Sequence, residues 1–260
     1  MLNENDKEIS LTFAKGLTVL LAFDAKDRSI TISEIAEKVN LNRAVARRLV
    51  RTLEQLGYLS CDRGRYELTP HVLRLSQGFI EGRGIPQIIQ PILRGAAEEI
   101  GESVSFAMLD DTDAVYIAHA FLPAKFTLNR VAIGSRVPLA PTASGRVILA
   151  YLDEPRREEI LRGTDFAAFT ERTETDLSRF REVLQAVRAQ GFAQTESEYV
   201  SDVASLAVPV FRPGMGDGLG GGVVTGALSI IFEQGRYDSA ERADMVRRLR
   251  TCAAHVASTF

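Results

Sequence analysis

The 260-residue sequence predicts an α+β fold built in two parts. In the first part, apolar residues recur every three or four positions and then alternate with polar ones, which indicates short helices followed by a hairpin. In the second part, apolar strands lie between amphipathic helices, a pattern typical of an antiparallel sheet with helices packed on it. We therefore expect two folded parts joined by a helix.

Composition excludes several classes of protein. The chain is 45% apolar and 25% charged, as in soluble globular proteins, and its net charge of −3 argues against nonspecific coating of nucleic acid. The first residues are polar and no apolar run approaches the roughly 18 residues of a membrane span, so we expect a cytoplasmic protein with no membrane partner. Cys61 and Cys252 match no metal or redox spacing, which predicts unpaired thiols, no metal site and no cofactor.

Positive charge is concentrated in one short segment. Residues 1–82 carry twelve Lys and Arg against eleven Asp and Glu, whereas residues 83–260 carry nineteen against twenty-three. Within the first group, four arginines lie between Arg43 and Arg51, with no acidic residue until Glu54. A basic patch confined to one segment has to be explained by the structure or function of that segment.

Two helices are predicted before this basic segment. Ser10 caps the first, and the periodicity places four apolar residues on one face: Phe13, Leu17, Leu20 and Leu21. Thr31 caps the second, shorter helix, and Glu34 completes a capping box. The second helix buries Ile35 and Val39.

The basic segment itself is the third predicted helix. Asn42 caps it and Gly57 ends it. At about 100° per residue, five apolar residues share one side: Val45, Ala46, Leu49, Leu53 and Leu56. Arg43, Arg47 and Arg51 lie within roughly 80° of one another on the other side.

A basic hairpin follows. The segment "YLSCDRGRYELT" alternates apolar and polar residues about the turn "DRGR", which places Arg63 and Arg65 at its tip. Three helices and a hairpin predict a winged helix-turn-helix domain over residues 1–69. In that geometry the second helix of the pair enters the major groove of DNA and the wing touches the neighbouring backbone.

We therefore predict that this domain binds double-stranded operator DNA. The alternative explanation of the arginines is an ordinary solvated helix face, which is disfavoured by the capped helix before them and the basic wing after them. The predicted DNA-binding residues are Ser33, Asn42, Arg43, Arg47, Arg48, Arg51, Arg63 and Arg65.

A linker helix is predicted over residues 70–83. Thr69 is its N-cap, Pro70 takes the first helical position and Gly82 lies near its end. Its apolar stripe is too narrow for a domain core: Val72, Leu75 and Phe79. We expect the stripe to pack on a helix of a second chain or on the chain's own wing. Since one winged helix contacts too few bases for operator specificity, we expect at least a dimer.

Residues 84–260 change pattern to a sheet flanked by helices. One long helix precedes two strands joined through "DDTD", and a third strand is predicted in "FTLNRVAI". Two further strands, "VASLAVPVF" and "VVTGALSIIF", are separated by "GMGDGLGGG", which we interpret as a hairpin loop because it precedes a strand and lacks a phosphate-binding lysine. The remaining helices begin after "PTASG", at Pro155, at Thr175 or Asp176, and at Asp238 with Glu241 in a capping box.

Three blocks of the sequence resemble regulators of the isocitrate lyase regulator (IclR) family. They are "RAVARRLVRTLEQLGYL", "GSRVPLAPTASGRVILA" and "GFAQTESEYVSDVASLAVPVF", and their order and spacing fit from about Ser10 to Phe260. The third block matches the family signature at Gly191, Glu198, Ser205, Leu206, Ala207 and Val210. It departs from the signature at Thr195, Asp202 and Arg212, which leaves the ligand open.

The resemblance implies a winged-helix domain joined by the linker helix to a GAF-like effector-binding domain over residues 84–260. It also implies a homodimer or a dimer of dimers that represses or activates a catabolic operon. Family members typically respond to small organic acids or aromatic catabolites, so the implied partner is a small organic or aromatic acid effector.

The effector is expected at the start of the helix in "PTASG", because unpaired N–H groups and the helix dipole favour a carboxylate there. We place Thr142 in this site, and the resemblance adds Ala143, Ser144, Gly145, Thr195, Ser205 and Ser229. The alternative for each serine is a hydroxyl bonded to the backbone. Three arginines could add bidentate recognition of an acid, although surface positions are expected for at least two: Arg130, Arg136 and Arg146.

Two other functions are weighed against regulation. A hydrolase could use Ser144 or Ser205, but neither lies in a G-x-S-x-G motif and neither has a plausible histidine partner, so we predict no catalytic residues and no enzyme. A protein-interaction adaptor would tolerate loss of the arginine face. His119, with three aspartates upstream, would suit a metal or acid–base site, but a single histidine at a strand end is more often packed.

Overall fold

The computed structural model describes residues 6, 8–24, 26–82, 85–123, 131–212 and 222–260. The chain divides into two compact units, residues 1–83 and 84–260. Within the described residues, no helix is both long enough and apolar enough to cross a bilayer. Both cysteines are free thiols, as predicted, with Cys61 exposed and Cys252 buried.

The first unit is a winged helix-turn-helix. Its helices are α1 (Leu11–Leu20), α2 (Ile32–Lys38), α3 (Arg43–Gln55) and α4 (Leu73–Gly82), the last preceded by a 3₁₀ turn at Pro70–Val72. Its strands are β1 (Ser29–Thr31), β2 (Leu59–Asp62) and β3 (Arg65–Leu68), in the antiparallel order β1-β3-β2. The hairpin β2–β3 is the wing. Strand β1 was not predicted, because it has only three residues and its last one, Thr31, is also the N-cap of α2.

Local side-chain bonds set the helix-turn-helix geometry. The predicted capping box is present, since Glu34 N donates to Thr31 Oγ1 and Thr31 N donates to Glu34 Oε2. Ala44 N donates to the side-chain oxygen of Asn42 at 2.8 Å, which begins α3. Gly57, at φ 81°, ends α3 in the left-handed region.

The apolar face predicted for α1 is not the core of this unit. The buried residues of this region are Val19 and Ala22, whereas Phe13 is 68% exposed and Leu21 is 81% exposed. Helical periodicity identifies an apolar face but not the surface that covers it. Likewise Leu56, the C-cap of α3, is exposed, and Val50 takes a core position that the sequence analysis did not select.

The second unit is a six-stranded antiparallel sheet between two layers of helices. Its helices are α5 (Ile85–Ile100), α6 (Ala143–Tyr151), α7 (Glu154–Gly163), α8 (Leu177–Gln190) and α9 (Ser239–Ala257). Its strands are β4 (Val104–Asp110), β5 (Asp113–Ala120), β6 (Arg136–Pro138), β7 (Ala193–Glu196), β8 (Val203–Arg212) and β9 (Val223–Glu233), in the order β6-β5-β4-β9-β8-β7. Helices α5 and α9 pack on one side of the sheet, and α6, α7 and α8 pack on the other, so that a hydrophobic core lies on each side.

Two predicted segments of this unit lie partly outside the described residues. Residues 124–130 hold most of the strand predicted in "FTLNRVAI", and β6 begins only at Arg136. Residues 213–221 hold most of the glycine-rich loop. Edge strand β7 was not predicted, since its four residues are ordered by pairing with β8 rather than by a pattern of their own. The remaining helices and strands follow the sequence analysis, with Asp176 capping α8.

Candidate functional site

Helix α3 presents an exposed arginine surface opposite its buried side. Ala46, Val50 and Leu53 face the core, whereas all four arginines of the helix are exposed: Arg43, Arg47, Arg48 and Arg51. Within the part of the chain that the structure describes, none of the four forms an ion pair. Their positive charge is therefore available to an external anion.

A cleft runs beside this surface. It is lined by the N-cap of α3 and residues of that helix, with one residue each from α2 and β3: Asn42, Arg43, Ala44, Arg47, Arg51, Glu54, Ile32 and Tyr66. Three guanidinium groups against one carboxylate make the cleft basic, which suits the phosphate backbone of DNA. Ser33, the predicted contact on α2, is exposed.

The two wing arginines have different surroundings. Arg63 and Gly64 both have positive φ, 48° and 81°, as a two-residue hairpin turn requires. Arg65 donates to the carbonyl of Ser29 and lies 3.7 Å from Glu34 Oε2, so it ties the wing to the start of α2. No such contact involves Arg63 among the described residues, and its side chain is exposed.

In the second unit, the start of α6 is buried against the sheet. Thr142 Oγ1 accepts from Gly145 N at 3.2 Å and donates to the carbonyl of Pro138 at 2.7 Å. Ala143, Ser144 and Gly145 are all buried. The N–H groups of the first helical turn have no intrahelical acceptor, so those of Ala143 and Ser144 are available to an anion.

Tyr116 connects this helix start to the sheet. Its phenol lies close to the hydroxyls of Ser144 and Ser229, and burial raises its pKa above the usual value. The Ser229 hydroxyl is fully buried, yet it makes no hydrogen bond of normal geometry to any described residue, so its proximity to Tyr116 does not satisfy it. The structure therefore brings two of the predicted effector residues together around a tyrosine.

Two other predicted effector residues form a separate pair. Thr195 on β7 lies opposite Ser205 on β8, and their hydroxyl oxygens are 2.6 Å apart. Ser205 lies opposite Ile231, whereas Ser229 lies opposite Ala207, so the two serines are diagonal neighbours on the same side of the sheet. All of the predicted effector residues thus belong to one side of the sheet and to the helix that covers it.

The arginines considered for acid recognition have other partners. Arg146 is buried and forms a bidentate ion pair with Glu198. Arg136 is exposed and bonds to Asp110 and Asp113, the residues considered for a metal site. Arg130 lies outside the described residues. The part of the chain that the structure describes has no cluster of histidine, cysteine or acidic side chains able to hold a metal ion.

Sequence analysis missed Ser105 and Tyr116, and it interpreted His119 as a packed side chain at a strand end. His119 lies at the end of β5, and its Nδ1 is 2.9 Å from Ser105 Oγ. Burial lowers the pKa of His119 below its usual value of 6.5, which favours the neutral imidazole at neutral pH. No local pattern marks these residues, because only the strand register brings them to the side of the sheet that α6 covers.

Comparison with known protein families identifies both units. The family model of the IclR helix-turn-helix domain matches residues 12–63, and that of the bacterial transcriptional regulator IclR C-terminal domain matches residues 77–258. The chain belongs to the IclR family. It is a DNA-binding transcriptional regulator and not an enzyme, so neither the hydrolase nor the adaptor is favoured.

Relatives of known name agree with this assignment. The Pca regulon regulatory protein of Pseudomonas putida is 30% identical over 236 residues, which cover 91% of this chain and 79% of that protein. The p-hydroxybenzoate hydroxylase transcriptional activator of Acinetobacter baylyi is 30% identical over 203 residues, 76% of this chain and 72% of that protein. A crystal structure of an IclR transcriptional regulator from Alicyclobacillus acidocaldarius has a TM-score of 0.80 at 27% identity, covering 96% of this chain and 99% of that one.

Proposed function

We propose that this IclR-family regulator controls a catabolic operon and that a small organic or aromatic acid, bound between α6 and the sheet, changes its affinity for operator DNA. The main support for effector binding is the buried polar cluster of Tyr116, Ser144 and Ser229 beneath the start of α6. A buried hydroxyl without a hydrogen bond is rare in folded proteins and calls for a partner.

The position of the acid follows from the helix. The first-turn N–H groups of Ala143 and Ser144 suit a carboxylate, whereas the nearby guanidinium of Arg146 is already bound to Glu198. The name of one relative supports the chemical class, since it is the transcriptional activator of p-hydroxybenzoate hydroxylase. The DNA half of the proposal depends on the four exposed arginines of α3 and on Arg63 of the wing.

The assembly that we propose is a homodimer or a dimer of dimers. The first unit leaves large apolar side chains exposed at two helices. Phe13 and Leu17 lie on α1 and Leu21 is its C-cap, while Leu73, Leu75 and Phe79 lie on α4. Large apolar side chains exposed at successive turns of a helix are typical of an interface. Two copies would also present two recognition helices to an operator with two half-sites.

Titration of the full-length protein with an acid panel tests the effector half. Gel shifts on DNA upstream of the protein's own gene, with and without each acid, should reveal an acid that changes operator affinity. Calorimetry should show that operator changes the affinity for this acid by the same factor, because coupling between two sites is reciprocal.

Two variants test where the acid effector binds. Ser205→Leu places a bulky side chain in the half-buried effector region, so it should abolish the response to the acid and leave ligand-free DNA binding unchanged. Ser178→Leu on the exposed surface of α8 is the matched control and should behave as wild type. An unaltered response in Ser205→Leu would contradict this placement of the effector.

A further inference from the structure

Arg65, the first residue after the turn of the wing, points away from the cleft beside α3. It lies opposite Asp62 on β2 and opposite Thr31 on β1, so β3 is paired on both sides at this position. Its neighbour Tyr66 lines the cleft and is buried in the core of the first unit. Because successive side chains of a strand point to opposite sides, Arg65 lies on the side of the three-stranded sheet that faces away from the cleft.

The guanidinium of Arg65 is bound to the start of the helix-turn-helix. Its Nη2 donates to the carbonyl of Ser29 on β1 and lies 3.7 Å from Glu34 Oε2 on α2. That carboxylate oxygen also accepts from Thr31 N at 2.6 Å, which is part of the capping box. Hydrogen bonds from Thr31, and in addition the charge of Arg65, hold the pKa of Glu34 below its usual value. One ionised carboxylate therefore joins the start of α2 to the tip of the wing.

We propose that Arg65 is a positioning residue of the wing and does not contact DNA. Through Ser29 and Glu34 it holds the tip of the hairpin in a fixed orientation to α2 and α3, so that Arg63 meets the DNA backbone. We call the contacts of Arg65 with Ser29 and Glu34 the wing clasp. The inference rests on the proposed DNA contact of Arg63, and it gives Arg65 a role other than the direct contact that the sequence predicts.

The side of the sheet that carries Arg65 is acidic. Asp62, directly opposite, and Glu67, two positions further along β3, point to the same side as Arg65, and both are exposed. Together with Glu34 they place three carboxylates around one guanidinium. This surface repels phosphate, so an approach of DNA to Arg65 is electrostatically unfavourable.

Arg63 differs from Arg65 because no contact of its own fixes its position. Its side chain is exposed and forms no hydrogen bond or ion pair to another described residue. The positive φ of Arg63 and Gly64, 48° and 81°, defines a tight turn, so Arg63 moves with the ends of the two strands. A hairpin of two strands is marginally stable without further contacts. The wing clasp supplies such contacts at the turn and thereby determines where Arg63 lies.

A double-mutant cycle on DNA binding tests the inference in the full-length protein. The probe is a labelled duplex that the wild-type protein selects from random sequences, and fluorescence anisotropy gives the affinity at several salt concentrations. Arg63→Asn keeps a residue that suits the turn but removes the charge, so it should lower the affinity and reduce the salt slope by about one. Arg65→Ala should lower the affinity about two- to tenfold, as loss of one hydrogen bond and one exposed ion pair implies.

The double variant separates positioning from contact. If Arg65 acts through Arg63, the protein with both changes should match Arg63→Asn in slope and, within about twofold, in affinity. If Arg65 itself contacts phosphate, the two losses should add and the slope should fall by about two. A purely structural contribution of Arg65 to folding would leave the effect of Arg63→Asn the same in both backgrounds.

Glu34→Gln distinguishes the two roles by the sign of its effect. Glutamine also serves at this position of a capping box, so α2 stays capped while the charge that holds Arg65 is lost. The wing clasp predicts weaker DNA binding, and no further weakening in the Arg63→Asn background. Direct contact predicts tighter binding, because the change frees Arg65 and removes a carboxylate that repels phosphate. Glu37→Gln, at another exposed position of α2, is the matched control and should not weaken binding.

The outcomes distinguish this inference from the proposed function. Additive losses in the cycle, an unchanged affinity in Arg65→Ala, or tighter binding by Glu34→Gln would each overturn the wing clasp alone, provided that Arg63→Asn lowers the slope. Wild-type affinity and slope in Arg63→Asn would overturn both the wing contact and the clasp. If Arg65→Ala does not fold, as thermal unfolding would show, the effect of Glu34→Gln in the two backgrounds decides.

Discussion

Arg146 and Glu198 form an ion pair inside the second unit, with 5% and 14% of their side chains exposed. Arg146 Nη1 donates to Glu198 Oε1 at 2.8 Å, and a second parallel contact joins Nη2 to Oε2. Its Nε also donates to the carbonyl of Ala140 at 2.8 Å. The pair therefore ties the first turn of α6, where we place the effector, to the segment that follows β7.

Removing one member of this pair should destabilise the protein strongly. Glu198→Gln leaves the guanidinium of Arg146 buried without its counter-charge, and we expect a loss of about 3–5 kcal/mol in the free energy of unfolding. Glu158→Gln is the control, since its partner Arg181 is 41% exposed and surface pairs contribute about 0–1 kcal/mol. Urea unfolding followed by circular dichroism measures both. Equal losses in the two variants would contradict the burial of the first pair.

Loss of an α3 arginine should weaken DNA binding through charge. Arg47→Ala and Arg51→Ala should each reduce operator affinity, and each lost phosphate contact should lower the slope of log K against log salt concentration by about one. Arg179→Ala, an exposed position on α8, is the matched control. Fluorescence anisotropy at several salt concentrations measures the slopes. Wild-type affinity and slope in both α3 variants would show that these arginines form only a solvated surface.

The caps and core helices were predictable because their signals are local. Thr31 with Glu34, and Asp238 with Glu241, lie three residues apart, and both capping boxes are present in the structure. Gly57 and Gly191 adopt the left-handed φ that ends a helix. Asp202, which stands where the family signature has a glycine, also has a positive φ of 61°, a conformation that a short polar side chain tolerates.

The arrangement of Ser105, His119 and Ser229 on the sheet was not predictable from local signals. Ser229 was assigned to the effector site only from the family resemblance, and Ser105 and His119 lie in line with it only because β4 pairs with both β5 and β9. A register shift of a single residue would send each side chain to the opposite side of the sheet. The bulge between Phe106 and Ala107 adds a further offset that no local pattern reveals.

The apolar surface of the first unit should govern assembly. Sedimentation of the wild-type protein at micromolar concentration should give at least twice the chain mass of 28.6 kDa. Phe79→Asp places a charge on a side chain that is 44% exposed in the single chain, and it should shift the equilibrium toward the monomer. Val223→Asp, at a 55% exposed position of the second unit, is the control and should not shift it. A wild-type monomer that binds operator tightly would contradict the dimer.

The close approach of α6 to the preceding loop gives a test of the effector site that leaves its hydroxyls in place. A Cβ at Gly145 would collide with the backbone of Leu139, whose carbonyl carbon and oxygen leave no room for it. Gly145→Ala should therefore displace the start of α6, lower the free energy of unfolding by about 1–3 kcal/mol and weaken binding of the acid.

Gly163→Ala is the matched control for this change, because no atom lies within 4 Å of its added Cβ. Since alanine is the better helix former, that variant should be as stable as wild type or more stable, by up to about 1 kcal/mol, with acid binding unchanged. Thermal unfolding and calorimetry on the two variants measure both effects. If Gly145→Ala kept wild-type stability and acid affinity, the start of α6 would not be held against the loop as the structure has it, and the placement of the carboxylate at Ala143 and Ser144 would lose its support.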